Sequence, residues 1–181
     1  MEYQYIVQAV GFSAVIFTLA VYQSNKRHRM LGLATIAACL FASHFFLLGA
    51  MTGAAMNLIG AARSYVFMKV KPRKHNRWIL FTFLAAAVLA TAATWHGPVS
   101  LLALLGTMCS AVSSWQRSPK LIRRFALATP FPWFAYAVLT GSMAGMVIET
   151  MSLTSNLIGR HRHDANRRFQ LRLVRRVWRH A

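Results

Sequence analysis

The sequence predicts an all-α integral membrane protein of seven transmembrane helices, two parallel three-helix repeats joined by a linking helix. Three observations predict it. Hydrophobic residues make up 56% of the 181 and charged residues only 13%, fewer charges than a water-facing surface carries. The apolar residues gather into seven runs, and Lys and Arg gather in alternate connections between them. One stretch occurs twice without a gap: F-A-S-H-F-F-L-L-G-A-M-T-G-A-A-M-N at 41–57 returns 92 residues later as W-F-A-Y-A-V-L-T-G-S-M-A-G-M-V-I-E at 133–149.

The runs cover residues 3–23, 31–48, 52–68, 78–95, 99–115, 124–139 and 142–159. At about 1.5 Å rise per residue, roughly 17–20 residues cross a hydrocarbon core about 30 Å thick. Helix is required, because lipid offers backbone polar groups no partners. Only Glu2 precedes the first run and its basic cluster follows it, so it reads as a retained helix rather than a cleaved signal. The sixth run is short and holds Pro130 and Pro132, which remove helix hydrogen bonds and should kink or break it. Cys39 and Cys109 sit inside apolar runs, where neither a disulfide nor a metal site is expected.

Of the 21 Lys and Arg residues, all but Arg63 fall after the first, third, fifth and seventh runs. The other three turns have none. The positive-inside rule places the N-terminus outside and the C-terminus in the cytoplasm. The net charge of +18 therefore belongs to one membrane face and needs no nucleic-acid partner. An odd number of helices separates equivalent runs, so the two triplets share one orientation. The expected divisions are a first repeat at 1–70, a linking helix at 77–96, a second repeat at 98–160 and a cytoplasmic tail at 161–181.

His-Phe-Phe-Leu-Leu-Gly at 44–49, Arg63, Gly106-Thr107, Gly-Ser-Met-Ala-Gly followed by Met-Val-Ile-Glu at 141–149, and Asn156 resemble the YgjV family of bacterial inner-membrane proteins. That resemblance implies an inner-membrane location and no established activity. More remotely, the three-one-three plan is similar to SWEET and PQ-loop transporters of sugars and amino acids. Their Pro-Gln pairs correspond to Tyr22-Gln23 and Trp115-Gln116, where Gln is kept and Pro is absent. Their helix-three and helix-seven Asn correspond to Asn57 and to either Glu149 or Asn156.

The repeat aligns Phe41 with Trp133, His44 with Tyr136 and Asn57 with Glu149. Counted from the uncharged turns, His44, Asn57, Trp133, Tyr136 and Glu149 fall in one band of the outer half. Hydrogen-bonding and aromatic groups there could bind a small polar solute. Equally, each could be a separate helix–helix bond worth about 0.6–2 kcal/mol, and Trp133 and Tyr136 could be interface anchors. Arg63 and Glu149 each cost about 2.5–3.5 kcal/mol within a span, so each should face a cavity or a partner. Their axial offset of roughly 6 Å is within reach of an Arg side chain, and a static Arg63–Glu149 pair is one expectation. The glycines at 49, 53, 141 and 145 straddle turns and read as turn residues.

The candidate binding residues are thus His44, Asn57, Arg63, Trp133, Tyr136, Glu149 and Asn156. No phosphate loop, metal-ligand spacing or paired carboxylate is present, so neither an enzyme nor a cofactor is expected. In the tail, Phe169, Leu173, Val174, Val177 and Trp178 share one side of a helix and Arg168, Arg172, Arg175, Arg176 and Arg179 the other. This fits a basic amphipathic helix on anionic lipid. His161-Arg162-His163 reads as a solvated hinge. The function expected is a small-solute carrier or facilitator; the alternative is a non-transporting scaffold or partner anchor. Homo-oligomerisation is left open. The charge alternation makes one direct prediction: a reporter fused after Ala181 is active only in the cytoplasm, and a periplasmic signal removes one of the seven runs.

Overall fold

A computed structural model describes residues 2–165, and the tail from 166 onward lies outside the described residues. Among the described residues there are helices and no strands. They are α1 (Glu2–Gln23), α2 (Arg27–Leu47), α3 (Met51–Lys69), α4 (Trp78–Ala93), α5 (Val99–Ser114), α6 (Pro119–Phe125), α7 (Pro130–Leu139) and α8 (Met143–Arg160). Three stretches are long and apolar enough to cross a membrane on length and composition alone: Tyr5–Gln23, Arg27–Leu47 and Lys74–Ala93. Val99–Ser114 is apolar but shorter. α3 and α8 are less apolar because they carry polar residues of the interior, such as Asn57, Arg63 and Ser64 on α3 and Ser152, Ser155 and Asn156 on α8, and α6 and α7 are short.

The sixth run is not one helix. It divides into α6, a 3-10 turn at Ala126–Ala128 and α7. Pro130 lacks the N–H that would continue an α-helix, so the chain tightens to 3-10 before it and restarts with Pro130 in the first turn. Ser118 caps α6 by accepting from the Leu121 N–H at 3.4 Å, and Ser142 caps α8 by accepting from the Gly145 N–H at 2.9 Å. The α2–α3 and α7–α8 turns each pass through a left-handed glycine, Gly49 at φ 77° and Gly141 at φ 69°, as the repeated turn sequence requires.

The helices close into a ring. α1 packs on α2, α2 on α3, α3 on α5, α5 on α7, α7 on α8, and α8 back on α1. α4 lies outside, against α3 and α5. The apolar core of the ring includes Ala14, Phe41, Phe45, Met56, Ala103, Tyr136 and Ile148. Outward faces carry Ile16, Phe46, Leu58, Phe81, Leu89, Leu105 and Phe131, while Arg63, Arg123, His44 and Asn156 are buried. Water would favour the reverse arrangement; a hydrocarbon surround favours this one.

Two arginines tie the ends of the helices that meet the basic connections. Arg27 donates to the carbonyls of Gln116 (2.9 Å), Phe67 (2.7 Å) and Ser114 (3.4 Å). Arg123 donates to the Ser24 carbonyl at 3.1 Å and to Asp164 at 2.6 and 3.2 Å. The sequence placed Arg123 in a solvated basic connection, yet its side chain is wholly buried. The reason is Asp164. Residues His161–Ala165 form a π-helical turn that returns the carboxylate to the guanidinium, and His163 Nε2 donates to the Gln23 carbonyl at 3.0 Å. The segment read as a hinge is therefore docked. The amphipathic face expected in the tail falls on residues outside those described.

Gly106 is a second tie. A methyl group there would stand 2.5–2.9 Å from the Trp133 ring, so α5 and α7 can approach only because the position is bare. Gly106→Ala should lower thermal stability in detergent by about 1–3 kcal/mol, read as a fall in Tm.

Candidate functional site

At the end of the ring carrying the glycine turns, two side chains cross between helices. His44 is fully buried. Its Nδ1 lies 2.9 Å from the Val7 carbonyl on α1, and its Nε2 lies 2.8 Å from Ser142 Oγ. A carbonyl can only accept, so Nδ1 carries the proton and Nε2 accepts from the Ser142 hydroxyl. That hydroxyl in turn accepts from the Gly145 N–H. Tyr136 completes the layer from α7, its hydroxyl accepting from the Gly53 N–H of α3 at 2.8 Å. Residues 44 and 136 are 92 apart, and so are 53 and 145. Tyr136 serves the Gly53 amide at the start of α3 directly, and His44 reaches the Gly145 amide at the start of α8 through Ser142. The Phe45 ring stacks on Trp133 at 6.1 Å and meets Tyr136 edge-on at 5.6 Å.

Beneath this layer lies a cavity of about 170 Å³, lined by residues of α1, α2, α3, α5, α6, α7 and α8 and of the 3-10 turn. Of its 28 lining residues, 22 form pairs 92 positions apart. Thr18 pairs with Ser110, Tyr22 with Ser114, Phe41 with Trp133, Met56 with Ile148, Asn57 with Glu149 and Gly60 with Ser152; the other five pairs are mainly apolar. Hydroxyls, an amide, a guanidinium and a carboxyl thus face a space whose remaining wall is aromatic and aliphatic.

Arg63 is 4% exposed. It donates to the Thr107 carbonyl at 3.1 Å and to Ser110 Oγ at 2.9 Å, both on α5. Its Nε, and the hydroxyls of Thr107 and Thr129, are buried without a hydrogen-bond partner, and all three residues line the cavity. Native interiors seldom leave such atoms unpaired, so the wall around Arg63 holds polar groups that the helices themselves do not satisfy. Asn57 donates to the Gly53 carbonyl one turn back at 2.9 Å. Glu149 makes no hydrogen bond or ion pair among the described residues. The expected Arg63–Glu149 pair is not formed; the two Nη groups are held on α5 instead.

The family description "Imp-YgjV: Bacterial inner membrane protein" matches residues 5–167. The chain belongs to this family. The inner membrane protein YgjV of Escherichia coli (strain K12) is 22% identical over 156 residues, which is 86% of this chain and 83% of that protein. No solved structure matches. As a member of the Imp-YgjV family the chain is an inner-membrane protein whose apolar outer faces meet lipid, so the polar cavity is interior to the bilayer-facing bundle.

Of the seven residues singled out in the sequence, Asn57, Arg63, Trp133 and Glu149 line the cavity. His44 and Tyr136 form the layer above it. Asn156 stands apart, donating to the Arg123 carbonyl at 2.9 Å with its Oδ1 unpartnered. The sequence reading missed the hydroxyls of Thr18, Tyr22, Thr107, Ser110, Thr129 and Ser152. Extending the 92-residue alignment outward from 41–57 would have exposed Thr18 and Ser110 as a matched polar pair inside apolar runs. The bonds of His44 also make a stability prediction. His44→Ala strands the Val7 carbonyl and the Ser142 hydroxyl and should cost about 1–3 kcal/mol. Ser142→Ala in that background should add less than it does alone, a coupling that a double-mutant cycle of Tm values reads directly.

Proposed function

We propose that this chain is a small-solute carrier or facilitator of the inner membrane, working by movement of two three-helix halves about a central site. On this reading seven spans cross the bilayer with the N-terminus outside. Residues 1–70 and 98–160 are the halves, 77–96 is the link, and the basic tail at 161–181 rests on anionic lipid. The continuous stretch α6–α7 counts as the sixth span.

One observation carries the reading: the cavity is lined by residue pairs at a single offset, with polar and charged groups among them. A repeat axis through a binding site is the arrangement of carriers built from parallel repeats. A scaffold that only held helices together would gain from closing this space with apolar side chains, because buried polar groups without partners are costly. Binding rather than catalysis is the chemistry on offer, since no group in the cavity pairs as nucleophile and base.

The pairs also assign tasks. Phe41, Phe45, Met56 and Trp133 supply apolar wall; Thr18, Ser110, Asn57, Arg63 and Glu149 orient a polar solute. Neutral bonds from His44 and Tyr136 hold the halves together above it, each strong enough to favour closure and weak enough to break, about 0.6–2 kcal/mol.

Counterflow in proteoliposomes with a panel of sugars and amino acids tests this reading. Wild type should accumulate labelled solute. Glu149→Gln should stay folded by Tm and size-exclusion profile and lose at least about tenfold in rate. If wild type moves nothing across a broad panel, the scaffold reading replaces it.

A further inference from the structure

Inside the cavity, a guanidinium and a carboxyl stand without each other. Both Nη groups of Arg63 bond neutral acceptors, and its Nε–H has none. Glu149 lines the same cavity with no bond among the described residues. A charge inside a bilayer-spanning bundle normally takes a counter-charge or a strong acceptor. Contact between the two would have satisfied both, but the bonds to Thr107 and Ser110 commit the guanidinium to the α5 wall. What remains is one cavity with a cationic and an acidic residue in its lining and no bond between them.

We propose that the occupant is a small zwitterion, with its carboxylate on Arg63 and its ammonium on Glu149. This rests on the carrier reading and names its substrate class. A planar guanidinium with only two of its four Nη hydrogens engaged on α5 suits a carboxylate. An ammonium meets a carboxylate at Glu149 and hydroxyl acceptors nearby at Tyr22 and Ser152, which line the same cavity. A neutral sugar of equal size would leave the guanidinium without a counter-ion and the carboxyl without a cationic partner. A simple anion or cation would satisfy only one of them.

Size narrows the class. A cavity of about 150 Å³ accommodates benzene, so about 170 Å³ suits a solute of roughly six to nine non-hydrogen atoms. α-Amino acids with small side chains, such as alanine, serine and proline, fall in that range. The apolar part of such a molecule would lie against Phe41, Phe45, Met56 and Trp133.

The test is a binding series on the purified full chain in nanodiscs, read by calorimetry and by Tm. L-alanine, L-serine and L-proline are compared with N-acetyl-L-alanine, which keeps only the carboxylate, L-alaninamide, which keeps only the ammonium, and a pentose, which has neither. At least one zwitterion should bind about tenfold or more tightly than every other compound. Glu149→Gln should lower zwitterion affinity about tenfold and leave that for N-acetyl-L-alanine within about threefold. Arg63→Lys should retain the preference, and Arg63→Gln should lose it. If Arg63→Gln does not fold, the ligand series and Glu149→Gln decide alone. The proposal is overturned if no zwitterion binds, or if the pentose or a singly charged analogue binds as tightly. Counterflow separates it from the carrier reading: transport of a neutral solute that amino acids do not inhibit sinks the zwitterion and keeps the carrier. A zwitterion that binds but is not moved does the opposite.

Discussion

Every polar group placed inside this ring must find its partner inside it, because the surround is hydrocarbon. That constraint accounts for most of the hydrogen bonds between helices. His44 reaches α1 and the start of α8. Tyr136 reaches the start of α3. Gln23 donates to the carbonyl and hydroxyl of Ser155 at 3.1 and 2.9 Å, and Ser155 donates to the Leu19 carbonyl. The few groups that fail the constraint are informative for that reason. Three of the four unpartnered buried atoms belong to residues around one cavity.

The sequence made the membrane class, the helical content and the paired turns legible because each depends on a local pattern: apolar runs, absent charges, and glycines at 49 and 141 that take positive φ. It also picked out Asn57 and Glu149, polar residues at one offset within apolar surroundings. It could not give the partner of Arg63. Axial depth along two helices says nothing about rotation, and rotation turned Arg63 toward Thr107 and Ser110 rather than Glu149. The burial of Arg123 was out of reach for a related reason. A positive charge near the end of a run shows no partner until a carboxylate 41 residues on, Asp164, returns to it. His44 looked like a candidate ligand group, yet both ring nitrogens are already engaged.

The positions 92 apart are informative where they differ as well as where they agree. Phe41 and Trp133 both present aromatic rings to the cavity, and Thr18 and Ser110 both present hydroxyls. Asn57 and Glu149 keep a planar polar head of similar size but differ in charge. Arg63 aligns with Ser155, so cation and carboxyl arise on different helices at unrelated positions of the alignment. Like residues at this offset put like groups in the cavity. Arg63 and Glu149 break that likeness and give its lining two unlike residues, a difference that an asymmetric solute would need under the carrier reading.

The two ends of the ring are closed by bonds of different strength. At the glycine-turn end the crossing bonds are neutral, about 0.5–1.5 kcal/mol each net. At the basic end Arg27 holds the carbonyl of Gln116 and Arg123 holds that of Ser24. Those carbonyls are 92 positions apart, and each is held by the arginine that follows the other connection, so the two connections brace each other. Hydrogen bonds to charged groups contribute about 1.5–3 kcal/mol, and Asp164 adds an ion pair on a guanidinium that is fully buried. The α1–α8 seam is close-packed at the same end, where even a methyl group on Gly159 would collide with the Tyr22 carbonyl. Both sets of bonds are made at once in this conformer. Under the carrier reading, separating the halves at the basic end must break the stronger set, and separating them at the glycine-turn end the weaker one. The free energy that a solute supplies by occupying Arg63 and Glu149 is therefore needed most for opening toward the side where Arg27, Arg123 and Asp164 lie.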